Sequence, residues 1–473
     1  MTGGLRTFFK GVLRMNPLRL RTVAGALAAS FIVTSPYAFA EDDVSQLKQQ
    51  VDELDQKIRV LQRQRELEKE AAVEKQKETP TVSSGKDGFW LRSADNAYQI
   101  RIGGIIQFDS HWYPDKTAPI GGTSDTFVLR KVRPVLEGVF LENIGFRLMP
   151  DFGNGTTVLQ DAYVELRLDK AANIRAGKFK PPIGLERLVL DSETEFVERG
   201  LPTNLAPNRD TGIQLGGSVL ADTLSYQVGV FNGITDNSTG DGDTNDQKDF
   251  LGRIFAEPFR NGDSWLSGLG IGIAYGYGVQ QGTTAASNLA TYKTVGQQNF
   301  FVFSTGAFAD GEREKIAPQF YYYIGSFGLL GEYIDSHQKV TRATNQKQDF
   351  DSKAWQVNGY WVVTGEDASF RNPTPRRPYA VNSPGLGAVE LVARYGVQTI
   401  DAATFAGTAT TRLADPDASA REARNAGIGV NWYFNRNFKI QLNYDQTEFD
   451  GGGPGGTDLQ TEKAVFSRIQ ANF

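Results

Sequence analysis

VFSRIQANF, residues 465–473, is the stretch on which the reading of the fold turns. Val465, Ser467, Ile469, Ala471 and Phe473 fall on one face of an extended chain, and Phe466, Arg468, Gln470 and Asn472 on the other. A segment at the end of a chain in water usually frays and is polar. This one has an apolar face that needs lipid or a core. The same period of two recurs upstream. Tyr98, Ile100, Ile102, Gly104, Ile106 and Phe108 alternate with Gln99, Arg101, Gly103, Ile105 and Gln107. Ile428, Val430, Trp432 and Phe434 alternate with Gly427, Gly429 and Asn431, and Phe438, Ile440, Leu442 and Tyr444 with Lys439, Gln441, Asn443 and Asp445.

About sixteen such segments are read, starting near residues 98, 127, 144, 158, 172, 211, 223, 249, 267, 312, 326, 351, 386, 423, 436 and 462. Their connections alternate in length. Short ones fall at 141–144, 168–173, 220–223, 324–328 and 434–438, and long ones at 109–126, 183–210, 233–248, 281–311, 401–422 and 449–461. Two on the short side, near 258–267 and 365–386, are longer. An even number of strands with short turns at one end and long loops at the other is the pattern of an antiparallel transmembrane β-barrel. In a closed barrel VFSRIQANF pairs with the first strand, so no sheet edge remains. Beyond residue 40 no run of about eighteen apolar residues occurs, which excludes a helical span there. Trp112, Tyr113, Trp265, Tyr321, Tyr322, Trp361 and Tyr433 lie at segment ends, where interfacial aromatic girdles are expected.

The chain has 473 residues, no Cys, two His and a net charge of −5. Mild acidity argues against a nucleic-acid partner. Arg6, Lys10, Arg14, Arg19 and Arg21 precede an apolar stretch, Val23 to Val33, and a small-x-small site at Ala38-Phe39-Ala40. Residues 1–40 therefore read as a signal peptide, with Met15 as an alternative start. In residues 41–78, Val44, Leu47, Val51, Leu54, Ile58 and Leu61 hold a and d positions for three heptads, predicting a short coiled coil. Residues 79–97 read as a Pro/Ser/Gly linker, and residues 98–473 as the barrel.

RKVRPVLEG (130–138), LQDAYVEL (159–166), RAGKFKPPIGLER (175–187), ADGEREKIAPQFYYYIGSFGLLGEY (309–333), YWVVTGE (360–366) and the final strand resemble the phosphate-selective porin O and P family over roughly residues 85–473. The resemblance implies a sixteen-stranded homotrimeric outer-membrane channel with a periplasmic coiled coil. It also implies a third loop, near 183–210, folded into the lumen as a constriction.

A pore selects ions by its width and lining charge. Alternation puts Arg101, Lys131, Arg133, Arg167, Lys315, Arg394, Lys439 and Arg468 on the lumen face, with Glu137, Asp161 and Glu165 beside them. The family pattern adds Arg130 next to Lys131, Arg187 after GLE, where phosphate-selective members have Lys, and Asp161. Asp161 and Glu165 are then the acidic residues expected at the constriction. Two features oppose the pattern. Strict alternation turns Arg130 toward lipid unless a bulge intervenes. The third loop holds Glu186, Asp191, Glu193, Glu195 and Glu198 against Arg187, Arg199 and Arg209, and this acidity opposes a phosphate site unless the carboxylates turn away or pair with lumen Arg.

Catalysis and metal binding find little support. Asp109-Ser110-His111 and Asp335-Ser336-His337 contain triad residue types, but adjacent strand residues face opposite ways and form no relay. Asp241, Asp243 and Asp246 have the spacing of a calcium loop without its terminal Glu. The sequence therefore predicts a non-enzymatic porin that needs no cofactor. Small inorganic anions, phosphate or pyrophosphate among them, diffuse through a trimer set in outer-membrane lipid and lipopolysaccharide. The rival reading is a structural tether whose coiled coil contacts peptidoglycan.

Overall fold

A computed structural model describes residues 41–85, 88–115, 123–243, 245–342 and 346–473; the signal-peptide reading lies outside them. The chain divides near Val73 into a helical unit and a sheet unit. In the first, α1 (Glu41–Glu78) is one helix of 38 residues, roughly 57 Å long at 1.5 Å per residue. Its heptad residues Leu47, Val51, Leu54, Ile58 and Leu61 are all exposed in the single chain.

The second unit is a closed barrel of sixteen antiparallel strands. They are β1 (Gln99–Trp112), β2 (Thr126–Phe140), β3 (Ile144–Asp151), β4 (Val158–Arg167), β5 (Asn173–Phe179), β6 (Asp210–Val219), β7 (Leu224–Phe231), β8 (Asp249–Ala256), β9 (Leu269–Gln281), β10 (Phe308–Ile324), β11 (Phe327–Arg342), β12 (Gln346–Val362), β13 (Ala388–Ile400), β14 (Ala420–Tyr433), β15 (Phe438–Gly453) and β16 (Glu462–Asn472). Each pairs with its sequence neighbour, and β16 pairs with β1 from Val465↔Trp112 to Asn472↔Ile105. Phe473 extends the seam: its N–H donates to the Gly104 carbonyl (3.0 Å), and the Gly104 N–H donates back (2.8 Å). A Cβ on Gly104 would sit 2.6 Å from the Phe473 ring, so the close approach of that ring fixes glycine there.

The expected linker is more ordered than its composition suggests. Thr81–Gly85 and Gly88–Arg92 form a hairpin, and its second arm pairs Phe89 with Ile102 and Arg92 with Gln99. The physical reason is the edge left where β16 runs out. The first residues of β1 lack a partner on that side, and the hairpin supplies one.

Outward faces carry Ile102, Ile106, Phe108, Leu129, Val164, Ile213, Val228, Ile273, Trp361 and Ile469, all exposed and suited to lipid. Trp112, Trp265 and Trp361 are exposed as girdle residues should be. Tyr113, Tyr321 and Tyr433 instead point inward: their hydroxyls donate to the Gly296 carbonyl (2.7 Å), Glu257 (2.9 Å) and Glu390 (2.8 Å).

The lumen is not an open tube. Long connections fold into it, and Leu201, Leu205, Tyr292, Phe300, Phe301 and Leu413 pack on Ile334, Phe350 and Ile400 of the wall. Tyr292 and Phe301 stack at 5.4 Å, and Phe301 and Phe350 at 5.6 Å. This apolar filling occupies the side of β10–β14 and leaves space along β2–β6.

Candidate functional site

The free space runs beside β2, β3 and β4, and two bulges make that wall polar. Gln107 pairs with Lys131 and Phe108 with Leu129, so Arg130 is the extra residue. Arg130 and Lys131 therefore both turn inward, which strict alternation forbids. On β4, Met149 pairs with Asp161 and Pro150 with Leu159, making Gln160 the extra residue. Gln160 and Asp161 are both buried on the lumen side.

The third long-end connection, residues 180–209, crosses the lumen and is held like a strap. Leu185 and Glu186 at the start of its α-helical turn, Leu185–Leu188, donate their N–H groups to the Glu332 carboxylate at 2.6 and 3.4 Å. The carbonyl of Asp191 accepts from Gln107 (2.8 Å), that of Ser192 from Gln470 (2.9 Å), and that of Thr194 from Lys439 (2.9 Å) and Gln441 (3.0 Å). The Glu195 carbonyl accepts from Asn431 (2.9 Å) and the Glu198 carbonyl from Arg394 (2.9 Å). The polar lumen faces of β1 and β13–β16 thus serve mainly to hold this strap.

Four of the residues expected to line the pore are placed elsewhere, beside the strap or under the next long connection. Arg394 is sealed behind the strap on Asp445 (2.8 Å). Arg468 forks onto Asp109 at 2.7 and 2.6 Å with both side chains buried. Lys315 pairs with Asp236 under the fourth connection. Lys439 borders a separate cavity of about 250 Å³ with Glu193, Arg371 and Asn372. Glu165 is also displaced from the constriction: it holds Arg175 (2.7 Å) and Arg167 (3.0 Å) lower on β4 and β5.

Where the strap meets this wall, basic side chains gather around Asp191. Arg133 contacts it, and Lys131 (3.2 Å), Arg199 (2.8 Å) and Arg209 (3.1 Å) surround it. Arg133 also reaches Asp151 (2.6 Å), and Asp161 lies between Arg147 and Arg209, 3.2 Å from each. Arg130 forks onto Glu198 at 2.8 and 3.0 Å. Below them Arg101 pairs with Glu137 (2.5 Å).

Two cavities meet at this cluster. One, of about 320 Å³, opens toward the long loops. Seven basic side chains line it (Arg130, Lys131, Arg133, Arg187, Arg199, Arg209 and Lys293) against three acidic ones, Asp151, Asp191 and Glu198. The other, of about 420 Å³, opens toward the short turns and has Arg101, Arg133, Arg147, Arg175, Lys180 and Arg209 against Asp161 and Asp191. Arg133, Asp191 and Arg209 border both.

Much of the strap's acidity is turned away from the two cavities. Glu186 accepts from the Gly200 N–H (2.8 Å) and Gln356 (2.9 Å) on the sealed side. Glu195 is buried there, where desolvation and then Glu390 hold its carboxyl well above the usual range. Of the strap's carboxylates only Asp191 and Glu198 border the upper cavity, each gripped by cations. Burial would raise Asp191, but Lys131, Arg133, Lys180 and Arg199 outweigh it and hold the carboxyl well below its ordinary value. Burial opposes Arg130 at Glu198 as well, and the guanidinium prevails, lowering that carboxyl to about 2. At Arg187, burial and then Arg199 and Arg209 push the guanidinium down to about 9. Its Nη2 donates to the Thr203 carbonyl (2.5 Å) and Asn237 (2.7 Å), while its buried Nε meets no acceptor among the described residues.

Sequence reasoning missed the hub role of Asp191 and the contributions of Arg147, Arg175, Lys180 and Lys293. Arg147 was within reach, because Gly145, Arg147 and Met149 alternate with the outward Phe146 and Leu148.

The two DSH stretches form no relay. Ser110 accepts from Trp112 on the outer face, whereas Asp109 and His111 face the lumen 3.7 Å apart. His337 lies 2.5 Å from Asp351. Asp109, His111 and Glu198 do approach one another, but Arg468 and Arg130 already occupy both carboxylates. In the acidic connection, Lys178 and Lys248 hold Asp241 and Asp243.

The family model for phosphate-selective porin O and P matches residues 100–473. Porin O of Pseudomonas aeruginosa is 24% identical over 406 residues, covering 78% of this chain and 87% of that one. Among solved structures, the outer-membrane channel DcaP of Acinetobacter baumannii is similar in fold, with 12% identity, a TM-score of 0.53, and 81% and 99% coverage of this chain and that one. An anion-selective porin from Comamonas acidovorans has 12% identity, a TM-score of 0.50, and 80% and 100% coverage. A closed barrel with lipid-suited faces and polar cavities inside it agrees with these likenesses: the chain belongs to the phosphate-selective porin O and P family of bacterial outer-membrane channels.

Proposed function

We propose that the chain forms a passive, anion-selective pore. The observation that carries this reading is the excess of basic side chains in both cavities flanking Asp191. A cationic lining lowers the barrier for anions and raises it for cations. Arg130, Lys131, Arg133, Arg199 and Arg209 each lean on a carboxylate, so an anion there exchanges one partner for another and is not trapped. Purified protein in planar bilayers under a KCl gradient is expected to give a reversal potential near the chloride equilibrium value; a value near the potassium equilibrium refutes the reading.

Phosphate and pyrophosphate belong among the permeant ions on this reading. Arg187 supports it as a lining residue of the upper cavity whose Nε meets no acceptor among the described residues and whose like-charged neighbours repel it, a repulsion that an anion relieves. Phosphate is expected to block the chloride current, with the block roughly tenfold weaker in Arg187→Gln. Equal block in both proteins refutes the role of Arg187.

The Arg130–Glu198 clamp tunes this lining. A carboxyl lowered to about 2 contributes at every pH above its ordinary 4.5 and is lost only as pH falls through about 2. The difference in reversal potential between wild type and Glu198→Gln is therefore expected to be the same at pH 7 and pH 4. A difference that vanishes by pH 4 refutes the clamp.

The exposed heptad stripe of α1 supports a trimer whose helices bundle on the periplasmic side. Loss of trimer on native gels after deletion of residues 41–78 is the expected result, and a fully trimeric barrel contradicts it.

A further inference from the structure

The two cavities differ in their uncharged lining. Above Asp191 it is almost wholly polar, with Val158 and Val197 the exceptions. Below it, Val135, Met149, Tyr163, Leu188 and Leu190 face the same space as the arginines. Leu190 is 49% exposed although it sits inside the barrel, immediately before the hub aspartate. Tyr163 lines the same cavity from β4, with the Arg175 guanidinium 4.4 Å above its ring.

An inorganic ion gains nothing from such a wall. A leucine half-open to water is covered favourably only by another apolar surface. Convergent cations beside apolar side chains are the lining expected of a site for an organic anion, in which charge fixes one end and burial retains the other.

We propose that the lower cavity is a subsite for carboxylates with an aromatic or branched apolar body. The carboxylate lies against Arg133, Arg147 and Arg209, and the body lies between Leu190 and Tyr163. This rests on the anion-channel reading and narrows it: the upper cavity admits any small anion, and the lower one holds amphipathic anions longer.

The test uses the full-length protein in planar bilayers carrying chloride current, with benzoate and formate as blockers. Benzoate is expected to block at roughly tenfold lower concentration than formate, and Leu190→Ser to reduce that ratio about fivefold. Tyr163→Ser, on β4, is expected to reduce it as well. Equal potency of the two blockers in the wild type, or a ratio unchanged in both variants, overturns the subsite while leaving anion selectivity intact. A cation-selective reversal potential in the wild type overturns the reading on which it rests.

Discussion

Arg133→Glu is expected to turn the pore from anion-selective to cation-selective. Arg133 borders both cavities and touches both Asp151 and Asp191. Reversing it places three carboxylates together where the two cavities meet and changes the local charge by two units. A unit charge about 4 Å from a permeating ion is worth roughly 1 kcal/mol in water-like surroundings and more where the wall excludes solvent. Two units act with opposite sign on anion and cation, so their permeability ratio changes by a factor on the order of ten to a hundred after screening. The reversal potential in a KCl gradient reads this directly. Arg394→Glu provides the contrast: alternation puts that residue on the lumen face too, but the strap separates it from the passage, so its effect is expected on stability of the fold. If Arg133→Glu leaves selectivity unchanged, the passage does not run through the Asp191 cluster.

The barrel was legible from sequence because strand alternation is a local signal. Expected starts at 144, 158, 249 and 462 coincide with β3, β4, β8 and β16, and the final strand closes on β1. The site was legible only where alternation or a bulge governs which way a side chain points. Lys131, Arg133 and Asp161 line the two cavities because β2 and β4 form their wall. Arg394, Lys439 and Arg468 obey alternation equally well but are covered, since no periodic pattern reveals that residues 191–198 lie across β13–β16. That placement depends on side-chain amides and strap carbonyls meeting over separations of more than two hundred residues. The apolar filling of the barrel was hidden for a similar reason. Tyr292, Phe300 and Phe301 sit in a long connection with no regular spacing, and they find Phe350 only after the barrel closes.

Asp109→Ala is expected to destabilise the barrel at its closing seam. Asp109 on β1 lies directly across from Arg468 on β16, and the guanidinium forks onto it at 2.7 and 2.6 Å with both groups excluded from solvent. Removing the carboxylate leaves a buried cation next to the Arg130 region, where Glu198 is already committed. Breaking one side of a buried pair costs about 3–5 kcal/mol. At roughly 2 °C per kcal/mol for a large domain, the folded band of samples heated stepwise before electrophoresis should be lost about 5–10 °C lower. The double substitution Asp109→Leu with Arg468→Met removes both charges and keeps the volume, so it should recover most of that loss. Recovery separates the unpaired charge from a simple packing defect. A double variant as unstable as the single one means that the seam is held by its ladder and by Phe473 on Gly104, with the ion pair adding nothing.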